Sequence, residues 1–226
     1  MNPKISVVLP IYNQGSQIEY LFQQYAKLSQ LSVTWEVLFV VNGSKDDSYA
    51  KSVQLAGQNP NFKVFNLELG GWGRAVRFGI TEAKGDMICY TNSARTTIED
   101  LLLILNYAVA NDSVVLKTTR VIRESFVRKI GSILYNYENR TLLGTPIWDV
   151  NGTPKVFAAK HIKDMPLQSN GDLIDAEVMA RVYRKGIQIV EILIISTSRI
   201  GGGKSTTGFK SAWKMYTGLL DLRKIL

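Results

Sequence analysis

A chain of 226 residues that is 46% hydrophobic and 20% charged can bury one substantial core, and reads as a single domain. Its most membrane-like apolar run, residues 187–196, is interrupted by Gln188 and Glu191 and falls short of the ~18–20 residues a spanning helix needs; with no export signal at the N-terminus, a cytoplasmic location is the default. One cysteine, Cys89, and one histidine, His161, exclude a disulfide framework and a thiolate zinc cluster and argue against histidine-based metal sites, while a net charge of +8 points to an anionic partner.

Apolar, β-branched runs at 5–9, 37–41, 62–67, 87–91 and 114–118 alternate with helical patterns, which predicts a mostly parallel sheet covered by helices on both faces. Ser16-x-x-Glu19 has the form of a capping box for the first helix, and Thr96-x-x-Glu99 starts another before the apolar run 101–105. Cys89 sits inside a strand-like run and reads as core. Beyond residue 120 come a long basic helix over about 124–143, a strand over 152–157, a helix over about 175–185 and a strand over 187–195. Phe209, Ala212, Trp213, Tyr216, Leu219 and Leu220 mark one face of a C-terminal helix, which either packs on the domain or lies in a membrane interface. The division is therefore 1–208 for the main domain and 209–226 for a helix that belongs to it or packs on it.

Polar turns follow three of the strand-like runs. Pro10, Tyr12, Asn13 and Gln14 follow the first, Asn42 the second, and Asn92, Ser93, Ala94 and Arg95 the fourth; ligands of open α/β sheets bind at such carboxyl ends. Gly71-Trp72-Gly73-Arg74 opens a helix with backbone that can approach a phosphate, and Arg74 adds a donor. The segment ending in Gly203-Lys204-Ser205 is not a P-loop, because Ser198 stands where the pattern needs glycine and no early strand precedes it. Arg120, Arg123 and Arg128, with Lys117, Lys129 and Ser132, form a basic cluster that suits a phosphate or else a solvated helix face. The basic residues are scattered and not interleaved with aromatics, which argues against nucleic acid.

In order along the chain, "ISVVLPIYN", "EVLFVVNGSKDDS", "GGWGRAVRFGI", "GDMICYTNSA", "DVNGTPKVF", "DLIDAEVMARVYRKGIQIVEI" and "SRIGGGKS" resemble the family 2 glycosyltransferases, and within them the polyprenyl-phosphate (dolichyl-phosphate mannose synthase-like) branch. The resemblance spans about residues 4–205. It implies a GT-A α/β fold and a nucleotide-sugar donor bordered by Pro10, Tyr12, Asn13, Asn42 and Arg74, with the late loop carrying Arg199 and Lys204 over the donor phosphates. It also implies that Arg120, Arg128 and Ser132 hold the phosphate of a polyprenyl acceptor, and that Asp149, Lys155, Asp175 and Glu177 lie at the reacting centre; a glycan acceptor stays open, as does a role for the carboxylates as base or as orienting groups.

Where the family carries carboxylates this chain has Gln14, Val41-Asn42 and Asn92-Ser93-Ala94, so its Asp-x-Asp metal motif is degenerate. No tightly bound cofactor is expected, a weak Mg²⁺ or Mn²⁺ accompanying the nucleotide-sugar remaining compatible, and Arg95, Arg199 and Lys204 are the candidates to balance a diphosphate. Two functions follow: an inverting transferase, peripheral at the inner membrane face, or an inactive relative that serves as partner of another transferase.

Overall fold

The computed structural model describes residues 4–122, 126–195 and 209–226, apart from the side chains of 122, 126–129 and 209–212. Seven strands form one sheet: β1 (Ile5–Ile11), β2 (Trp35–Asn42), β3 (Phe62–Leu67), β4 (Met87–Tyr90), β5 (Val115–Ile122), β6 (Lys155–Ala158) and β7 (Ile189–Ile195). Their order is β3-β2-β1-β4-β6-β5-β7, and β6 alone runs against its neighbours. The helices are α1 (Ile18–Ala26), α2 (Ser48–Ala56), α3 (Trp72–Glu82), α4 (Ile98–Ala110), α5 (Phe126–Leu143), α6 (Ala159–Ile162), α7 (Ile174–Arg184) and α8 (Phe209–Ile225).

β1, β2 and β4 are apolar on both faces because both faces are covered. Val7, Val37, Phe39 and Cys89 pack with Leu21 of α1 and Leu101 and Leu105 of α4. Val8, Leu38, Val40 and Ile88 pack on the other side with Val76 of α3 and Val178 of α7. Cys89 is fully buried, and burial pushes its thiol pKa up, as expected for a core residue. A third cluster joins Leu143 of α5, Ala176 and Ala180 of α7, and Leu219 and Leu222 of α8, so α8 packs on the same body.

Several element ends differ from the sequence expectation. β1 continues through Pro10, which pairs in register with Val40 and is buried. The Ser16 box does not form: residues Gly15–Gln17 make a 3-10 turn, and α1 starts at Ile18 without a side-chain cap. On α4 the cap is Thr97, whose hydroxyl accepts from Asp100 N at 3.1 Å, while Thr96 accepts from the Thr91 hydroxyl at 2.7 Å. Among the described side chains of α8 the buried ones are Leu219 and Leu222, and Trp213 faces outward; those of Phe209 and Ala212 lie outside the described residues.

Candidate functional site

The turns after β1, β2 and β4 meet at one edge of the sheet, joined by their own polar side chains. Asn13 N donates to Ser44 Oγ at 3.0 Å, and its Oδ1 accepts from Lys45 N at 2.9 Å. Ser93 Oγ donates to Gln14 Oε1 at 2.8 Å, tying the altered metal motif to the first turn. Asn42 donates to Ile11 O at 2.8 Å and accepts from Gly71 N at 3.0 Å, so its amide fastens the β1 end to the start of α3. Gly71 is obligatory here, since its φ is 145° and an added Cβ would stand 2.4 Å from Asn170 O. Asp46 accepts from Gly15 N at 2.8 Å and from Ser48 Oγ at 2.5 Å.

Of the residues expected on the donor side, Tyr12 is exposed and lies near Gly70. Pro10 shapes the strand end from within and offers no surface. Arg74 begins α3 with its Nε buried and without a protein partner. Arg95 is half-buried in the turn closed by its N–H on Asn92 O at 3.1 Å. Arg199 and Lys204 lie outside the described residues.

In the altered metal motif Asn92 Oδ1 accepts from Ala94 N at 2.9 Å and Ala94 is buried, so the motif offers a neutral amide oxygen that a main-chain N–H already engages.

Behind these turns lies a buried charged network. Antiparallel β6 starts at the same end of the sheet as the turn after β4, and this sets Lys155 opposite Tyr90 of β4 and Lys117 of β5. Asp175, in the first turn of α7, accepts from Lys155 Nζ, from Tyr90 Oη at 2.9 Å and from Trp72 Nε1 at 3.1 Å. Burial lowers the Lys155 pKa, and the Asp175 carboxylate opposes that shift. Asp149 grips Arg120 in a two-pronged pair, Nε to Oδ2 and Nη2 to Oδ1, both at 2.7 Å. Asn13 and Asp149 are the non-glycine residues with positive φ among those described, 48° and 45°, so strain concentrates at two expected site positions.

Three of the expected residues lie in buried pairs. Glu177 is fully buried; its carboxylate accepts from Gln168 N, Ser169 N and Arg181 Nε, so it shapes the turn before α7 and shows no oxygen to an acceptor. Lys117 is fully buried, donating to Glu191 at 3.0 Å and to Trp148 O at 2.7 Å. Arg120 has its fork filled by Asp149 and is mostly buried. Ser132 is half-buried and accepts from Asn136 Nδ2 at 3.3 Å; Arg128 lies on α5, its side chain outside the described residues. Trp72 and Tyr90, the donors to Asp175, were missed, because an aromatic in a buried run reads as core until its hydroxyl or indole N–H is placed.

Residues 6–165 match the family model described as Glycosyl transferase family 2. Undecaprenyl-phosphate 4-deoxy-4-formamido-L-arabinose transferase of Sodalis glossinidius (strain morsitans) is 24% identical over 94% of this chain and 66% of its own length. The protein of that name from Photorhabdus laumondii is 26% identical, over 82% and 58%. This chain thus spans less than two thirds of the length of these relatives. Glucosyl-3-phosphoglycerate synthase from Mycobacterium tuberculosis, solved with Mn²⁺, uridine-diphosphate-glucose and phosphoglyceric acid, superposes with a TM-score of 0.74 at 15% identity, covering 98% of this chain and 79% of that one. That likeness establishes the GT-A fold.

Proposed function

The chain belongs to glycosyl transferase family 2, and on that premise we propose that it moves a sugar from a nucleotide-sugar to a polyprenyl phosphate, with inversion and without a tightly held metal. One observation carries the choice of acceptor: of the carboxylates expected at the reacting centre, Asp149 and Asp175 are each bound to a cationic side chain and Glu177 is fully buried. A hydroxyl acceptor needs a base to raise its nucleophilicity, whereas a phosphate is already anionic. An acceptor phosphate oxygen bonds to the anomeric carbon as the bond to the donor's diphosphate oxygen breaks, and the nucleoside diphosphate leaves with the electron pair. A single displacement of this kind inverts the carbon. The undecaprenyl-phosphate transferases among the relatives support the same acceptor class.

In this reading Tyr12, Asn13 and Arg74 border the nucleoside; Arg95, Arg199 and Lys204 balance the diphosphate. Arg128 and Ser132 hold the acceptor phosphate, and Lys155 and Asp175 keep the floor of the cleft in shape. Asn151 Oδ1 and Arg74 Nε, buried without protein partners, are polar atoms that a ligand would satisfy. The neutral donor side favours the second reading, a non-catalytic partner of another transferase.

Calorimetric titration with UDP-, GDP- and dTDP-sugars, followed by transfer to undecaprenyl phosphate, separates the two. Binding is expected with or without Mn²⁺, to weaken as salt rises, and to lose about 1–3 kcal/mol in Lys204→Ala, the range for a charge-assisted contact. Binding abolished by a chelator would overturn the metal-independent mechanism. Absence of any nucleotide binding would assign the chain to the non-catalytic class.

A further inference from the structure

Helix α5 carries apolar side chains on its outward stripe as well as toward the core. Asn136 and Asn139 are buried, Asn136 Oδ1 accepting from Val150 N at 2.9 Å, while Ile133, Leu134 and Tyr137 are 54–66% exposed. With Ile130 these side chains fall at helical spacing on the outer stripe, where a surface helix normally carries charge. The stripe continues through Arg140, whose guanidinium lies 4.3 Å over the ring of Trp148, itself 57% exposed. Trp148 is held by its main chain, donating to Glu191 and accepting from Lys117. Leu193 and Ile195 follow Glu191 on the same face of β7 by the strand period of two, and both are highly exposed. Helix and loop are thus linked through Arg140 and Trp148, and Trp148 is tied to Glu191 of β7, whose exposed Leu193 and Ile195 add apolar surface.

We infer that this surface seats the protein on an anionic lipid bilayer, which takes the α5 stripe and Trp148 into its headgroup region. Charge selects the occupant. The chain carries +8, and α5 itself contributes Arg128, Lys129 and Arg140 against Glu138. Two such bodies repel when brought face to face, whereas an anionic bilayer attracts the charge and the apolar stripe together. Tyr137 and Trp148 have the amphipathic rings that settle at a lipid–water boundary. The inference rests on the lipid-acceptor reading for its purpose, bringing the cleft to the acceptor, but it is tested without that acceptor.

Flotation with vesicles of phosphatidylcholine, alone or mixed with phosphatidylglycerol and free of polyprenyl phosphate, measures the partition. The protein is expected to float with the mixed vesicles and weakly with the neutral ones. Ile133→Glu with Leu134→Glu is expected to lower that partition about tenfold or more, since two large apolar side chains are withheld. Leu103→Glu, at an exposed apolar site on α4, is expected to leave it unchanged. Tyr137→Asp supplies the same comparison if the double variant melts early. Equal flotation of wild type and α5 variants would overturn the inference. So would a concentration-dependent dimer, seen without vesicles and abolished by the same substitutions, which would give the surface to a second copy. A protein that floats but binds no nucleotide would sink the transferase reading alone, and one that binds nucleotide but ignores vesicles would sink only the docking surface.

Discussion

Lys117 and Lys155 face one another across β5 and β6, and each needs a carboxylate to remain charged inside the protein. Burial lowers the Lys117 pKa from 10.5 to about 8, and the Glu191 charge opposes part of that shift. A lysine depressed on folding is a penalty fully present below about pH 8, where it is protonated in both states. As pH rises from there towards 10.5 the unfolded chain binds the extra proton, so this group's contribution makes folding more favourable. The full effect is on the order of 3 kcal/mol at about 1.4 kcal/mol per unit. Urea unfolding should therefore show wild type gaining on Lys117→Met as the pH is raised from neutral into this window; parallel profiles would mean that Lys117 titrates normally. Sequence order placed Asp149, Lys155 and Asp175 together through the family pattern. Their partners were not legible, because Trp72, Tyr90 and Asp175 come together only after three elements have packed.

Most element types were readable from periodicity, though not the short α6, and their ends were not. β5 runs to Ile122, four residues past the apolar run that announced it, because Thr118, Thr119 and Arg120 pair with β7, Thr119 bonding Glu191 and Arg120 bonding Asp149. β6 begins only at Lys155, and nothing in four residues could announce that it runs antiparallel. Helix starts show the same limit: two Ser/Thr-x-x-Glu patterns looked alike, yet the hydroxyl that caps a helix is Thr97, one residue after the expected Thr96, and Ser16 is exposed in a 3-10 turn. Removing a hydroxyl that satisfies a first-turn N–H costs about 1 kcal/mol. Thr97→Ala is thus expected to lower unfolding free energy by about that amount, and Ser16→Ala by less than about 0.5 kcal/mol, the usual range for an uninvolved surface site. Equal losses in a denaturant series would reinstate the box at Ser16.

For the whole molecule, the cleft inherits its position from the parallel strands and its electrostatics from what the turns carry. The first was legible, since apolar runs ending in polar turns predict a shared edge; the second was legible only as a departure from the family, in Gln14, Asn42 and Asn92-Ser93-Ala94. On the proposed reading, basic side chains and not a cation meet the donor diphosphate, in keeping with a net charge of +8 and with Asn92-Ser93-Ala94 in place of two carboxylates. Restoring the carboxylates tests whether the backbone still has the geometry for a metal. Asn92→Asp is expected to be nearly neutral, because the aspartate oxygen can accept from Ala94 N as the asparagine oxygen does. Ala94→Asp places a carboxylate where only 4% of the residue is exposed, a burial expected to cost roughly 1–3 kcal/mol. In the double variant Mn²⁺ would join the two carboxylates and return stability, by about 2.7 kcal/mol at a hundredfold excess over the dissociation constant. Thermal melts should then rise with Mn²⁺ and fall again with chelator in the double variant, and stay level in wild type. A wild-type melt that climbs as steeply as the variant's would place a metal site in the natural sequence, and the cationic account of donor binding would have to be abandoned.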